Sequence, residues 1–256
     1  MRTLTLLILT VFFFSCSEDN DDSTNNNDTA VSFKFSHHWD GTTVTNTDFN
    51  IIQYTNANGE DMSIERLRYL ISNITLQKQS GETLNLNGYN LIDLTNNTNL
   101  TYTPETRIPL GTYSNVSFTF GFNNDYNYQN YQDLNSANWN VPEMLGGGYH
   151  YMQLEGKFID NMSLESNYAY HAIRAVDTMS NPELTFQDTF IVVNLGEITI
   201  TENTNIEVMM NIAEWFKTPN TWDLNILSES LMGNFDAQIM MYENGQNVFS
   251  LGTITP

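Results

Sequence analysis

The strongest constraint on the fold is an unbroken alternation near the N-terminus. Val31, Phe33, Phe35, His37 and Trp39 are interleaved with Ser32, Lys34, Ser36, His38 and Asp40. A period of two is the side-chain period of a β-strand with one face buried, and an α-helix cannot place this set on one side. The inward face therefore ends in His37 and Trp39, and Gly41 closes the strand. Similar runs predict strands at Arg68–Gln77, Asn90–Asp93, Val116–Phe122, Tyr149–Phe158, Ala169–Val176, Thr189–Leu195 and Ile206–Asn211. Turn signals separate them: Asn58-Gly59, Ser80-Gly81, Asn87-Gly88 and Gly146-Gly147-Gly148. Only Asn211–Lys217, stopped by Pro219, and Leu231–Tyr242 read as short helices. Many spaced strands and few helices predict an all-β chain, an antiparallel β-sandwich, as one domain over residues 30–256.

Charge narrows the function. Nine Lys and Arg stand against 30 Asp and Glu, a formal net charge of −21. A chain this acidic lacks the basic face that nucleic acid requires, and it would not dock electrostatically on anionic lipid. The single Cys excludes an intrachain disulfide and a Cys-based zinc cluster. That Cys has a telling place. Arg2 precedes the apolar run Leu4–Phe14, which is too short to span a membrane and fits a secretory signal. Ser15-Cys16 follows it and resembles a bacterial lipobox, with Phe13 where Leu is usual. We therefore expect a signal peptide over residues 1–15, lipidation of Cys16 and an acidic disordered tether over 16–29. An acidic block after a lipidated Cys is similar to the export signal of surface-exposed Bacteroidetes lipoproteins. The expected location is the outer membrane, surface-exposed, with the periplasmic face as the alternative and attachment through the lipid.

The folded body offers few places for chemistry. No nucleophile elbow, zinc-protease helix, phosphate loop or dinucleotide fingerprint occurs. A binding protein is expected, not an enzyme. Asp93 and Glu155 lie on strand-like runs, and Glu155 is a candidate acceptor for Arg66 or Arg68. The four His are His37, His38, His150 and His171, all on or beside predicted strands. Imidazole is the usual ligand for copper and zinc, and thioether sulfur favours Cu(I). Met144, Met152 and Met162 lie around His150 in sequence. Periodicity selects His37 over His38 as the inward residue. His171 alternates with Ala169 and Ile173, so it too is expected inward and within ligand reach of His37. Two other readings stay open. Tyr126, Tyr128 and Tyr131 would suit stacking on a sugar in a glycan- or protein-binding module with structural His. The Asn- and Asp-rich stretch Asn123–Asn140 offers oxygen donors for calcium.

Four segments together resemble one family. They are Phe35-Ser36-His37-His38-Trp39-Asp40-Gly41; Asn58-Gly59-Glu60 with Ile64 to Leu76; Tyr89-Asn90-Leu91-Ile92-Asp93; and Gly147-Gly148-Tyr149-His150-Tyr151-Met152-Gln153-Leu154-Glu155-Gly156, followed by Tyr168-Ala169-Tyr170-His171. They are similar to the MbnP family, the methanobactin-associated periplasmic copper proteins, over roughly residues 31–251. The resemblance implies a β-rich fold and copper held by two His and an oxidised Trp, a kynurenine. It implies Cu(I) ligation by His37 and His171, with His150 or a Met completing the shell. It also implies a role in copper acquisition or handling and a di-haem peroxidase as partner. Relatives carry a Trp just before the Gly-Tyr segment. Here Met144-Leu145-Gly146 stands there, which leaves Trp139 and Trp39 as the nearest indoles to the motifs.

Overall fold

The structure, a computed structural model, describes residues 27–178 and 184–256. The expected signal peptide, Cys16 and the tether up to residue 26 lie outside these residues. Nine strands of seven or more residues carry the architecture. They are β1 (Ser32–Trp39), β2 (Arg66–Gln77), β3 (Thr83–Asp93), β4 (Gly111–Phe120), β5 (Met152–Ile159), β6 (Glu165–Ala172), β7 (Ile191–Ile200), β8 (Asn205–Asn211) and β9 (Phe249–Thr255). The helices are short: α1 (Asn124–Asn127), α2 (Gln132–Ser136) and α3 (Phe235–Gly245), with single turns elsewhere. The all-β, sandwich-like expectation holds.

β2 organises the larger sheet. β3 pairs along one edge of it. The other edge is shared, with β5 taking Arg66 to Tyr69 and β4 taking Ile71 to Gln77. β6 extends the sheet beyond β5, and β7 extends it beyond β4. The fork lies at Leu70, whose N–H donates to Tyr151 and whose carbonyl accepts from Gly121. Gly121 has φ +84°, and a Cβ there would stand 2.5 Å from the Tyr151 ring. Only glycine allows the two strand ends to part at this point.

The smaller sheet runs β9–β8–β1. β1 and β8 pair in parallel, the one parallel ladder among the described residues. They are remote in sequence, so no hairpin dictates their direction. Phe33, Phe35 and His37 of β1 face Leu67, Tyr69 and Ile71 of β2 across the main core. A bulge at Asn73, in the left-handed region at φ +50°, then shifts the alternation so that Ile74 and Leu76 face inward.

The opposite face of the large sheet is partly roofed. Leu70 points there and packs with Phe122, Leu134, Trp139 and Tyr149, a second small core under the segment that carries α1 and α2. Arg66 and Arg68 share this outer face with Leu70, because the side-chain period is two.

Boundaries moved for local reasons. The predicted run Ala169–Val176 breaks at Ile173, whose N–H donates to Gln238 and whose carbonyl accepts from Thr189. The predicted helix Leu231–Tyr242 splits at Asn234, which caps α3 by accepting the Ala237 N–H. Asp28 and Thr29 pair with Pro109 and Ile108, so the folded body starts inside the expected tether.

Candidate metal centre

In an antiparallel ladder, directly paired residues point to the same face. Arg68, Gln153 and His171 are paired across β2, β5 and β6, and so are Tyr69, Met152 and Ala172 one step on. The two rows therefore lie on opposite faces. Tyr69 faces the main core, where its hydroxyl meets His37 Nε2 at 3.1 Å. His171 stands on the outer face. The structure thus does not bring His37 to His171, which corrects the expected pair. Small Ala169 and apolar Ile173 suggested an inward His171. The inward residues of β6 are instead Tyr168 and Tyr170, with hydroxyls that donate to the Ser63 and Trp215 carbonyls. Bulky tyrosines with a polar tip fill a core when that tip finds an acceptor.

His171 has a different neighbour. Its ring packs edge-on against His150, with centroids 5.3 Å apart and planes at 86°. His150 is buried and lies just before β5. Its backbone N–H and its ring Nδ1 both meet the Trp139 carbonyl, the ring at 2.9 Å. A carbonyl only accepts, so the proton sits on Nδ1 and the neutral ring keeps its lone pair on Nε2. Met232 Sδ lies 3.2 Å from that Nε2. Burial lowers the His150 pKa to about 4, against the raising effect of the Trp139 bond, and His171 and Arg68 lower it further. The ring is neutral at neutral pH.

Glu155 supports the second imidazole. Its Oε1 accepts from His171 Nε2 at 2.8 Å and from Arg66 Nη1 at 2.8 Å. The expected ion pair with Arg66 is present. The carboxylate only accepts, so the hydrogen sits on His171 Nε2, and a ring with one proton carries its lone pair on Nδ1. The His171 bond holds the Glu155 carboxyl below its ordinary pKa, with burial opposing and Arg66 assisting. A carboxylate behind an imidazole is the usual way to orient a metal ligand.

Trp139 completes the wall. Its ring lies 5.7 Å from His150, and the Arg68 guanidinium stands over it at 5.1 Å. Trp139 Nε1 and Arg68 Nε are buried without a hydrogen-bond partner among the described residues. Arg68 otherwise donates to Gln153 and to the Ala137 carbonyl. An open cavity of about 410 Å³, lined by Arg66, Arg68, Ala137 and Gln153, borders this row. Trp39 is elsewhere, stacked on Tyr54 in the main core.

The remaining candidates disperse. His38 contacts Ser36 at the strand surface. Met152 fills the main core, and Met144 and Met162 are exposed. Met232 was missed, because a Met in a predicted helix start reads as core filling. The Asn123–Asn140 oxygens are committed locally: Asn123 caps α1, Asn127 accepts the Tyr149 N–H, and Asn135 accepts from Asn140 and the Tyr149 hydroxyl. No group of three His, Cys, Asp or Glu suited to a metal occurs among the described residues. Any metal at His150 and His171 would draw its further donors from outside that set, and the Met232 thioether is what the structure supplies beside His150. The donors fit a soft ion held by neutral ligands.

Two sheets, with an imidazole pair on the outer face of the larger one, define a β-rich domain. The sequence profile of the MbnP family matches residues 28–237, and the chain belongs to that family. In structure it is similar to "MbnP from Methylosinus trichosporium", with a TM-score of 0.55 and 13% identity over 88% of this chain and 98% of that one. At that identity the likeness speaks for the fold. A comparison with curated proteins gives no match.

Proposed function

We propose that this protein binds copper through His150 and His171 and serves in copper acquisition or handling at the cell envelope. The observation that supports this is the lone-pair arrangement of the two rings. Both imidazoles hand their N–H to an acceptor, the Trp139 carbonyl or the Glu155 carboxylate, and both keep a lone pair for another partner. Membership of the MbnP family favours copper over other borderline ions. In this reading His37 is a structural residue and the protein is a carrier, not an enzyme. In this proposal Trp139 takes the role that the family resemblance gives to an oxidised Trp.

The lipid anchor at Cys16 belongs to the same proposal, as does exposure at the outer membrane. Acylation would leave the domain on a short acidic leash beside its membrane. The peroxidase partner that the resemblance implies would act on Trp139.

Metal analysis of protein purified from its native host tests the copper reading. Copper at a substoichiometric trace, or equal copper in a His150→Ala, His171→Ala double variant, overturns it. Fractionation tests the anchor. Cys16→Ala should release the protein from membranes, and a variant that still pellets with the outer membrane refutes lipidation.

A further inference from the structure

We infer that Met232 is a third ligand, a thioether that makes this site selective for Cu(I) over Cu(II) and Zn(II). The inference rests on the copper reading above and adds to it a residue outside the imidazole pair.

The geometry around His150 carries it. Nδ1 faces a carbonyl, so the proton is there and Nε2 bears a lone pair. Sulfur in a thioether has no hydrogen to give. At 3.2 Å, Nε2 and Met232 Sδ therefore present two lone pairs to each other. Such a contact gains nothing as a hydrogen bond, and the buried His150 acceptor, facing a half-buried sulfur, lacks the donor it would find in water. A cation between them satisfies both. With bonds of about 2.0 Å to nitrogen and 2.3 Å to sulfur, a tetrahedral ion sets the two donors roughly 3.5 Å apart. The observed separation is close to that value.

Met232 is also positioned, not merely nearby. It sits in the single turn Leu231–Gly233. The buried Gln238 amide ties that turn to the strand bearing His171. Its Nε2 donates to the Leu231 carbonyl at 3.0 Å and to the His171 carbonyl at 2.8 Å. Its Oε1 accepts the Ile173 N–H at 2.9 Å. One side chain thereby fixes the turn of Met232 against the end of β6. A residue that only filled space would need no such tie.

The chemistry follows from donor softness. Thioether sulfur binds Cu(I) well and adds little for Cu(II) or Zn(II), which imidazole already suits. A sulfur donor beside two nitrogens thus separates the oxidation states of copper, and it does so without a charged ligand.

The test compares wild-type protein with Met232→Leu, a swap close to volume-conserving. Cu(I) affinity is measured anaerobically against a competing chelator, and Cu(II) and Zn(II) are titrated separately. We expect Cu(I) affinity to fall roughly tenfold or more, at least the cost of losing a supporting residue. Cu(II) and Zn(II) should stay within about threefold, since the imidazoles are untouched. X-ray absorption of the Cu(I) protein should show a sulfur scatterer, replaced by selenium in selenomethionine-labelled protein. Unchanged Cu(I) affinity with no sulfur shell overturns the role of Met232 and leaves the imidazole pair standing. An equal fall for all three ions also overturns it, since that marks a structural residue. Wild-type protein that binds none of the ions overturns the copper reading itself.

Discussion

His37 and the pair His150–His171 sit on opposite faces of the same sheet, and they differ in the chemistry of their partners. His37 is buried with its ring edge-on to Tyr69, and its Nε2 meets that hydroxyl. A hydroxyl can donate as well as accept, so either tautomer of that nitrogen finds its partner inside the core. His150 and His171 meet a carbonyl, a thioether and a carboxylate, all acceptors. Burial alone thus says little about ligation. What separates a structural imidazole from a metal-ready one is whether its neighbours take protons or give them.

The largest effect tests this contrast directly. His150→Ala and His171→Ala should each lower copper affinity by a hundredfold or more, on the order of what losing a direct ligand implies when supporting residues already cost 10- to 100-fold. His37→Gln should leave affinity unchanged. Equilibrium titration of the three variants decides it. A His37 variant that loses copper while His171→Ala keeps it reverses the assignment.

Stability should show the opposite ranking. His37→Ala leaves a cavity and strands the Tyr69 hydroxyl in the core, which should cost about 2–4 kcal/mol in denaturant unfolding. His37→Phe combined with Tyr69→Phe removes both polar partners and should recover most of that loss. A double variant as unstable as His37→Ala would mean that the His37–Tyr69 bond is not what makes the site sensitive.

Much of the fold was legible because alternation survives tertiary packing. Every odd residue from Val31 to Trp39 is buried, as the period required. The site was less legible. The family motif at Tyr149-His150 and Tyr170-His171 marks both imidazoles, yet their faces depend on ladder register, which no local pattern in β6 reveals. Ala169 suggested the inward set, yet it is only half-buried while Tyr168 and Tyr170 are buried, because two distant carbonyls receive the tyrosine hydroxyls. Met232 had no local signal at all. It reaches His150 through a turn fixed by Gln238, a contact between segments remote in sequence.

Acid provides the next comparison. Burial lowers the His37 pKa to about 3, with the charge of His38 assisting, and burial lowers that of His150 to about 4. In the unfolded chain both titrate near 6.5, so below that pH the unfolded state binds protons that the folded state refuses. Stability is therefore complete above about pH 6.5 and falls as pH drops, by up to about 1.4 kcal/mol per pH unit for each His. His150 stops contributing below about pH 4 and His37 below about pH 3. Unfolding curves between pH 7 and pH 4 should flatten by about half in the His37→Phe, Tyr69→Phe variant. An unchanged slope would remove the burial argument for His37.

The smallest effect separates orientation from ligation. Glu155 touches His171 but stands behind it, with its other bond to Arg66, whose side chain is 45% exposed. Glu155→Gln keeps an oxygen that can accept from His171 Nε2 and removes the charge. The imidazole becomes a weaker donor without moving, so copper affinity should drop about tenfold, at the low end for a supporting residue. Arg66→Gln leaves the carboxylate in place and breaks only a solvent-exposed ion pair, worth at most about 1 kcal/mol to stability. Its effect on copper should be smaller than that of Glu155→Gln. Titrations of the two variants side by side check the order. If Arg66→Gln weakens copper more than Glu155→Gln does, the guanidinium is acting on the site directly. The carboxylate would then not be the group that holds His171.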